Sequence, residues 1–170
     1  KFNEDAAEEG YLTTFIRLNP LSNPSLLNET DDFVQVVHGR LVFLDMNKPY
    51  KEQRMKYSSN HRRNLKKLLK EDYSLEWNSW DKLDAFLEIY NETMKREEAS
   101  DYYFFPDTYF YRLKKILGPS NIDLLLVNND RGEAVAGGIF CKNDRIIQYH
   151  LGGTKTGFLK TAPSKLLFDG

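Results

Sequence analysis

The segment 57–77, YSSNHRRNLKKLLKEDYSLEW, carries the side chains whose types and spacing best suit contact with an anion. Ser58, Ser59 or Asn60 is expected to cap a helix, because each side chain accepts a backbone N–H bond that the first turn leaves free. Its cations are Arg62, Arg63, Lys66, Lys67 and Lys70, around an apolar stripe of Leu65, Leu68 and Leu69. A cation in the first turn costs about 0.3–1 kcal/mol, since the helix dipole is positive there. The segment therefore indicates either a site for a phosphate or nucleic-acid backbone, or a basic face exposed to solvent.

A second segment, HLGGTKTGFLKTAPSK at 150–165, also suits an anion. Gly152, Gly153 and Thr154 are predicted to lie in a loop over 152–160, where glycines let the backbone approach a phosphate and a helix N-terminus offers free N–H groups. That helix is predicted to begin at Thr161 or Ser164. The alternative is a flexible connection between a strand and a helix.

The residue types present give little support to metal or nucleophile chemistry. His38, His61 and His150 are far apart in sequence and form no ligand-spaced pair, so we expect no metal site. Cys141 is predicted to lie in a hairpin turn without a neighbouring His or Asp, and it is therefore not a candidate nucleophile. The sequence has no serine-centred nucleophile motif.

Length and composition favour a soluble protein with one good core or two small lobes. The 170 residues carry a net charge of −1, so any nucleic-acid contact must come from a local basic patch. The single cysteine excludes an internal disulfide and fits a reducing compartment. No apolar run approaches the roughly 18 residues of a membrane-spanning helix. The chain opens with KFNEDAAEEG and closes with SKLLFDG, so we expect it to be a piece of a longer protein.

The first 56 residues are predicted to hold a helix, a strand, a hairpin and a linker. The helix covers 2–9 and stops at Gly10. The strand covers 11–18 and ends at Asn19-Pro20. Two short β-rich runs, 33–37 and 41–45, indicate a hairpin. The polar residues 46–56 are predicted to link two lobes.

Residues 57–170 are predicted to form helix, strand, helix, helix, three strands and helix, in that order. After the basic helix, 73–77 is predicted to be a strand. Ser79 and Asp107 are expected to cap two helices with apolar stripes, and Gly118-Pro119 ends the second. The predicted strands of an antiparallel meander are 122–127, 134–140 and 145–151.

This order of elements resembles the opening two-thirds of the GNAT acyltransferase fold, and three blocks narrow the resemblance to its FemAB-like branch. YSSNHRRNLKKLLKEDYSLE is similar to the family's S-x-x-x-R-x-N-L/I-x-K-A block. LDAFLEIYNETMKREEA is similar to its F-x-x-x-Y-x-x-T-x-x-R helix. GYLTTFIRLNPLSNPSLL is similar to the strand that closes its first lobe. The resemblance covers nearly all of the chain and extends to the BioF2-like acetyltransferases.

The resemblance implies an α+β (α/β) fold with two incomplete GNAT-like lobes, each a mixed, mainly antiparallel sheet flanked by helices. Residues 1–56 would be the C-terminal part of the first lobe with a linker, and residues 57–170 the N-terminal part of the second. The implied activity is transfer of an acyl or aminoacyl group to an amine, in the FemAB-like branch on a peptidoglycan precursor. The donor would be aminoacyl-tRNA or acyl-CoA, without a tightly bound cofactor, and the location cytoplasmic.

The resemblance also implies roles for individual residues. The residues that would meet donor phosphates or tRNA backbone are Arg62, Arg63, Lys66 and Lys67. Tyr149 would be the catalytic residue beside the transfer cleft, where a hydroxyl orients a carbonyl or protonates a leaving oxygen. Gly152, Gly153 and Thr154 would border the reacting centre, and Tyr109 falls near a position that contacts the acceptor. For both tyrosines, packing is the alternative role.

The chain departs from the family pattern in three places. The segment after Tyr149 lacks the R/Q-x-x-G-x-G/A pattern of a coenzyme cradle. Phe105 stands where an arginine often precedes the acceptor contact, and Asn19 stands where an acid is frequent but cannot itself take a proton. Three hypotheses therefore stand beside aminoacyl transfer. They are an acetyl-CoA-dependent N-acetyltransferase, a non-catalytic module that binds RNA or a phosphorylated glycan, and a scaffold lobe.

Overall fold

The computed structural model of the protein describes residues 2–13, 15, 19, 21, 34, 36 and 39–170. Contacts divide the chain into two compact units, residues 1–43 and residues 44–170. In the first unit, helix α1 spans Phe2–Glu8. Gly10 follows at φ 82°, a left-handed conformation that glycine adopts without steric cost. The predicted helix that stops at Gly10 is therefore confirmed, whereas the division into lobes at residue 56 stays a prediction.

The predicted strands of the first 56 residues do not appear among the described residues. Four residues of the predicted strand over 11–18 are described, and none of them lies in a strand: Tyr11, Leu12, Thr13 and Phe15. The rest of that strand, and most of 33–37, lie outside the described residues. Residues 41–45 are described and form no strand, so the hairpin prediction is wrong there. A strand needs a neighbouring strand for its backbone hydrogen bonds, and no strand in the described part of the chain pairs with 41–45.

The predicted linker over 46–56 contains a helix instead. Helix α2 spans Tyr50–Met55, and helix α3 follows at Ser59–Lys70. Pro49 precedes the first helical residue, and its carbonyl accepts the N–H groups of Glu52 and Gln53 at 2.9 and 3.1 Å. Proline at a helix start breaks no hydrogen bond, so Pro49 begins this helix rather than excluding one. The side chain of Ser58 accepts the N–H of His61 at 3.2 Å, which confirms the predicted cap of α3.

Four antiparallel strands form one sheet in the order β1-β2-β3-β4. The strands are β1 (Ser74–Trp77), β2 (Ile122–Asn128), β3 (Ala134–Asn143) and β4 (Ile146–Thr154). Helices α4 (Leu83–Arg96) and α5 (Asp107–Leu117) come between β1 and β2 in the chain, and α6 (Lys165–Asp169) follows β4. The mixed α+β class and the predicted element order of residues 57–170 are therefore confirmed.

Helices pack against both faces of the sheet. One face, the α4–α5 face, buries a cluster that includes Phe86, Tyr90, Phe110, Leu124 and Leu126. The other, the α3–α6 face, buries a cluster that includes Leu65, Leu68, Leu125, Val127 and Leu167. Successive side chains of a strand point to opposite faces, so β2 contributes alternately to the two clusters. This double burial explains why the residues from Leu124 to Val127 of β2 are all apolar.

Several local expectations need correction. Leu69 is 54% exposed, so the buried stripe of α3 consists of Leu65 and Leu68. The Ser79 hydroxyl donates to the Glu76 carboxylate instead of capping a helix, and a 3₁₀ turn over Trp80–Lys82 leads into α4. Asp107 is the first residue of α5 rather than its cap. Cys141 lies within β3 and not in the following turn, because the β3–β4 pairing continues to Asn143.

Candidate functional site

A bulge in β4 decides which side chains lie on each face of the edge of the sheet. Ile139 of β3 pairs with Leu151, but the next residue, Phe140, pairs with Tyr149, so His150 is the extra residue on β4. A bulge bends its strand and re-aims the side chains beside it. Here Tyr149 lies on the α3–α6 face, and His150 meets α5 on the α4–α5 face. Two neighbouring polar residues of one strand therefore belong to separate sites.

Tyr109 and His150 form a hydrogen-bonded pair on the α4–α5 face. The Tyr109 hydroxyl lies 2.9 Å from Nε2 of His150. Stacking on Phe105, at 4.4 Å between ring centroids, and an edge contact with buried Phe110 at 5.1 Å fix the Tyr109 ring. Phe105 thus supports the tyrosine that carries the polar group.

Burial keeps both members of the pair uncharged at neutral pH. Desolvation lowers the pKa of His150 below its ordinary value of 6.5. Desolvation also raises the pKa of Tyr109, with smaller contributions from Cys141 and Tyr102 nearby. A neutral imidazole next to a protonated phenol can accept the phenol proton when the phenol oxygen takes a second proton from a substrate. The pair has the chemistry of a proton relay that ends on a histidine base.

An open cavity of about 380 Å³ adjoins the pair on α5. Its lining consists of Pro106, Thr108, Tyr109, Arg112, Leu113 and Ile116. Arg112 is exposed and has no ion-pair partner among the described residues, so its charge is available to an anionic group. It follows Tyr109 by three residues, a spacing that puts both side chains on one side of the helix. The cavity therefore combines a cation, apolar walls and the hydroxyl of the relay.

Tyr149 lies flat against a pair of glycines on the opposite face. A Cβ added at Gly138 would come within 3.0 Å of the Tyr149 ring, and one added at Gly152 would collide with its hydroxyl oxygen. The ring also contacts Phe140 and Phe168, at 5.3 and 5.0 Å between centroids. Burial raises the pKa of the Tyr149 hydroxyl, so at neutral pH the hydroxyl is protonated. Its catalytic role stays a prediction, and its packing role is visible.

Gly152, Gly153 and Thr154 lie in β4, opposite Gly138, Gly137 and Ala136 of β3, so the predicted loop over 152–160 is wrong for these three residues. Gly153 lets α4 approach the strand, because a Cβ there would collide with Oγ1 of Thr93 and lie 2.9 Å from the carbonyl oxygen of Ile89. The Thr154 N–H donates to Oγ1 of Thr93 at 3.1 Å. These glycines make room for the protein's own helix and tyrosine ring.

A carboxylate already accepts the first N–H group of the 3₁₀ helix that follows β4. Oε1 of Glu92 accepts the N–H of Thr156 at 2.7 Å, where a 3₁₀ helix begins. Hydrogen bonds from Thr156 lower the pKa of Glu92, which is therefore ionised at neutral pH. Arg96 completes this connection by donating to the Thr154 carbonyl at 3.0 Å. The Thr156 N–H is therefore already bonded within the protein, which argues against a coenzyme pyrophosphate there.

The predicted donor-binding cations lie on α3, on the face of the sheet opposite the Tyr109–His150 pair. All four are exposed: Arg62, Arg63, Lys66 and Lys67. Arg62 turns back and donates to the carbonyls of Met55 and Tyr57 at 3.1 and 2.6 Å. Arg63 donates to Asn60 at 2.9 Å, and Lys67 lies 3.7 Å from Glu71. Of the predicted site residues, the α3 cations and Tyr149 thus lie on the α3–α6 face of the sheet, whereas Tyr109 lies on the α4–α5 face.

Sequence reasoning missed His150 and Arg112. His150 was considered only as a metal ligand, and its partner Tyr109 is 41 positions away. The signal for Arg112 was its i+3 spacing from Tyr109 on a predicted helix. The described residues contain no group of three or more His, Cys, Asp or Glu that could hold a metal ion.

None of the described helices combines the length and the apolar character needed to cross a bilayer. Comparison with known proteins adds no family: no protein-family model matches the chain, and no curated protein sequence matches it.

Proposed function

We propose that the protein is an acyltransferase with a GNAT-like second lobe, transferring an acyl or aminoacyl group to an amine. The observation that carries the proposal is the Tyr109–His150 relay beside the cavity of α5. His150 belongs to β4, the last strand of the sheet, and the order of helices and strands is the one expected for that lobe. The three FemAB-like sequence blocks support the same class. A fold alone hosts many activities, so the weight rests on the relay.

The relay suits the proton that an attacking amine must lose. The amine nitrogen forms a bond to the acyl carbon of an ester or thioester and gives its proton to the Tyr109 oxygen. Tyr109 passes its own proton to Nε2 of His150, which becomes an imidazolium. The acyl carbon–oxygen or carbon–sulfur bond breaks, and the leaving group takes a proton from the imidazolium. Positioning of amine and ester in one cavity supplies much of the remaining acceleration.

Aminoacyl-tRNA is the donor that we propose first, and acyl-CoA is the alternative. The Glu92 carboxylate occupies the N–H group where a coenzyme pyrophosphate would be expected, which favours the tRNA donor. A tRNA backbone bound to the exposed cations of α3 would lie on the face opposite the Tyr109–His150 pair, so its aminoacyl end would have to extend around the edge of the sheet to reach Tyr109. The amine acceptor would be a peptidoglycan precursor, with a carboxylate held by Arg112, and the reaction would be cytoplasmic.

Turnover assays on matched tyrosine variants test the relay. Tyr109→Phe removes only the hydroxyl, and loss of a proton-transferring group should lower kcat by about 10²-fold or more. Tyr111→Phe is the control, since Tyr111 is on the same helix, 51% exposed and outside the cavity lining. The assays use charged tRNA and, separately, acetyl-CoA, with amine acceptors. Equal activity of the two variants would show that the relay takes no part in the reaction. Absence of turnover of any donor by the unaltered protein would show that the transferase proposal is wrong.

A second function, non-catalytic binding of RNA or a phosphorylated glycan, is favoured by one observation. The cations of α3 project from an exposed helix face, and the described residues provide few carboxylates to neutralise them. Binding through several phosphate contacts would weaken steeply with salt. Salt-dependent RNA binding together with absent turnover would support this second function over the first.

A further inference from the structure

The segment 48–70 concentrates positive charge far beyond the average of the chain. Its nine cations are Lys48, Lys51, Arg54, Lys56, Arg62, Arg63, Lys66, Lys67 and Lys70, and its single carboxylate is Glu52, whereas the chain as a whole carries −1. The sequence resemblance concerned only the α3 part of this charge. The structure adds α2, which brings Lys51 and Arg54 next to Arg62.

These three cations line an open cavity of about 590 Å³ at the junction of α2 and α3. The remaining lining residues are Tyr50 and Met55, which are 52% and 70% exposed. This volume is in the range of small-molecule sites, about 300–1,000 Å³. The cavity therefore combines three cations with an aromatic ring and a thioether.

Of the three cations, Arg54 alone has a carboxylate partner among the described residues. Arg54 lies 3.2 Å from the Asp169 carboxylate, which also accepts the Tyr50 hydroxyl at 2.9 Å, and the Arg54 guanidinium sits 5.2 Å from the Tyr50 ring centre. Arg62 is fixed by two neutral carbonyl acceptors and keeps its full charge. Lys51 has no ion-pair partner among the described residues. An anion entering the cavity would thus meet one arginine, Arg62, that is already oriented, and one lysine whose charge is not neutralised.

We propose that the α2–α3 cavity binds a soluble ligand bearing a diphosphate, with Arg62 and Lys51 on the phosphates and Tyr50 and Met55 against a flat organic group such as a nucleoside. Arginine suits phosphate because its planar donors match two oxygens at once. The inference shares Arg62 with the donor contact proposed on α3, but it does not involve the Tyr109–His150 pair, which lies on the opposite face of the sheet.

Calorimetric titration with ADP at low ionic strength tests the site. Lys51→Glu reverses a charge in the cavity and breaks no hydrogen bond among the described residues, so it should fold and lose at least ten-fold in affinity. Lys70→Glu makes the same charge change on α3 but eight residues beyond Arg62, about 12 Å along the helix, and should lose less than two-fold. Arg62→Ala, checked for folding by circular dichroism, should weaken binding as much as Lys51→Glu.

Each outcome decides the proposal. Saturable ADP binding that Lys51→Glu weakens and Lys70→Glu spares supports the cavity. Equal losses in the two variants would show diffuse attraction to a basic surface and overturn the proposed site, as would the absence of saturable binding. His150→Gln should bind ADP unchanged, so failure here is distinguishable from failure of the transferase proposal.

Discussion

Replacement of Gly153 by alanine should destabilise the protein strongly, because the space for a methyl group is already filled. The added Cβ would collide with Oγ1 of Thr93 and lie 2.9 Å from the carbonyl oxygen of Ile89. The latter is backbone of α4 and cannot rotate away. Helix α4 and β4 must therefore move apart at this point.

The magnitude follows from two contributions. Overpacking in a well-packed region costs about 1–3 kcal/mol. Oγ1 of Thr93 accepts the N–H of Thr154 at 3.1 Å and donates to the Ile89 carbonyl at 2.9 Å. Displacement of this hydroxyl loses about one net hydrogen bond, so the total loss in unfolding free energy is about 2–4 kcal/mol.

Urea denaturation followed by circular dichroism measures this loss. With a slope of about 2 kcal/mol per molar urea, the midpoint should fall by roughly 1–2 M. Gly157→Ala is the matched control, because a Cβ at Gly157 has no atom within 4 Å. That control should change the unfolding free energy by no more than about 0.5 kcal/mol.

Two results would refute the reasoning. Gly153→Ala with the stability of the control would show that the strand and α4 are not in backbone contact. Unchanged stability together with lost binding of inorganic pyrophosphate would instead restore the predicted role of Gly153 in an anion cradle.

The remaining predictions concern pH and a charged hydrogen-bond cluster. Burial lowers the pKa of His150 and, together with nearby Lys165, that of His61. The unfolded chain then binds more protons, so the unfolding free energy should fall from about pH 8 to about pH 5, and His150→Gln should flatten the fall in urea titrations. An identical slope in the variant would contradict the assignment to His150. Hydrogen bonds from Lys82, Ser79 and Asn128 lower the pKa of Glu76 to about 2. Glu76→Gln should therefore lower the unfolding free energy by about 1–2 kcal/mol at neutral pH. The difference in unfolding free energy between the native protein and the variant should shrink as the pH falls from the unfolded pKa of the carboxyl to about 2, because acid protonates the native carboxylate. A difference that is constant with pH would argue against the cluster.

Local signals predicted much of the second unit. Ser58 before a basic amphipathic stretch predicted the start of α3, and the mostly apolar segment 122–127 predicted β2. Gly118, at φ 81°, ends α5 as expected. These features depend on neighbours in sequence, so composition and spacing are enough to find them.

The candidate site depended on contacts between distant residues. The bulge at His150 arises from the register of β3 with β4, which no pattern within β4 specifies. The sequence predicts a linker over 46–56 because the segment is polar and contains proline, which interrupts a helix in its interior. At the start of a helix proline is tolerated, and Pro49 precedes α2. Gly152 and Gly153 suggested a phosphate loop, whereas their neighbours are Tyr149, Thr93 and Ile89 from other turns of the chain.

The bulge at His150 also bears on self-association. In the described part of the chain, β4 has a neighbouring strand on one side only, and its sequence, IIQYHLGGT, contains neither a charged residue nor a proline. Charges, prolines and bulges are the usual means by which an edge strand avoids pairing with another molecule. The bulge at His150 therefore disfavours pairing of β4 with another molecule, and it also directs the His150 side chain toward α5. A deletion that restored regular pairing would straighten this edge and leave it open to strand addition by a second copy.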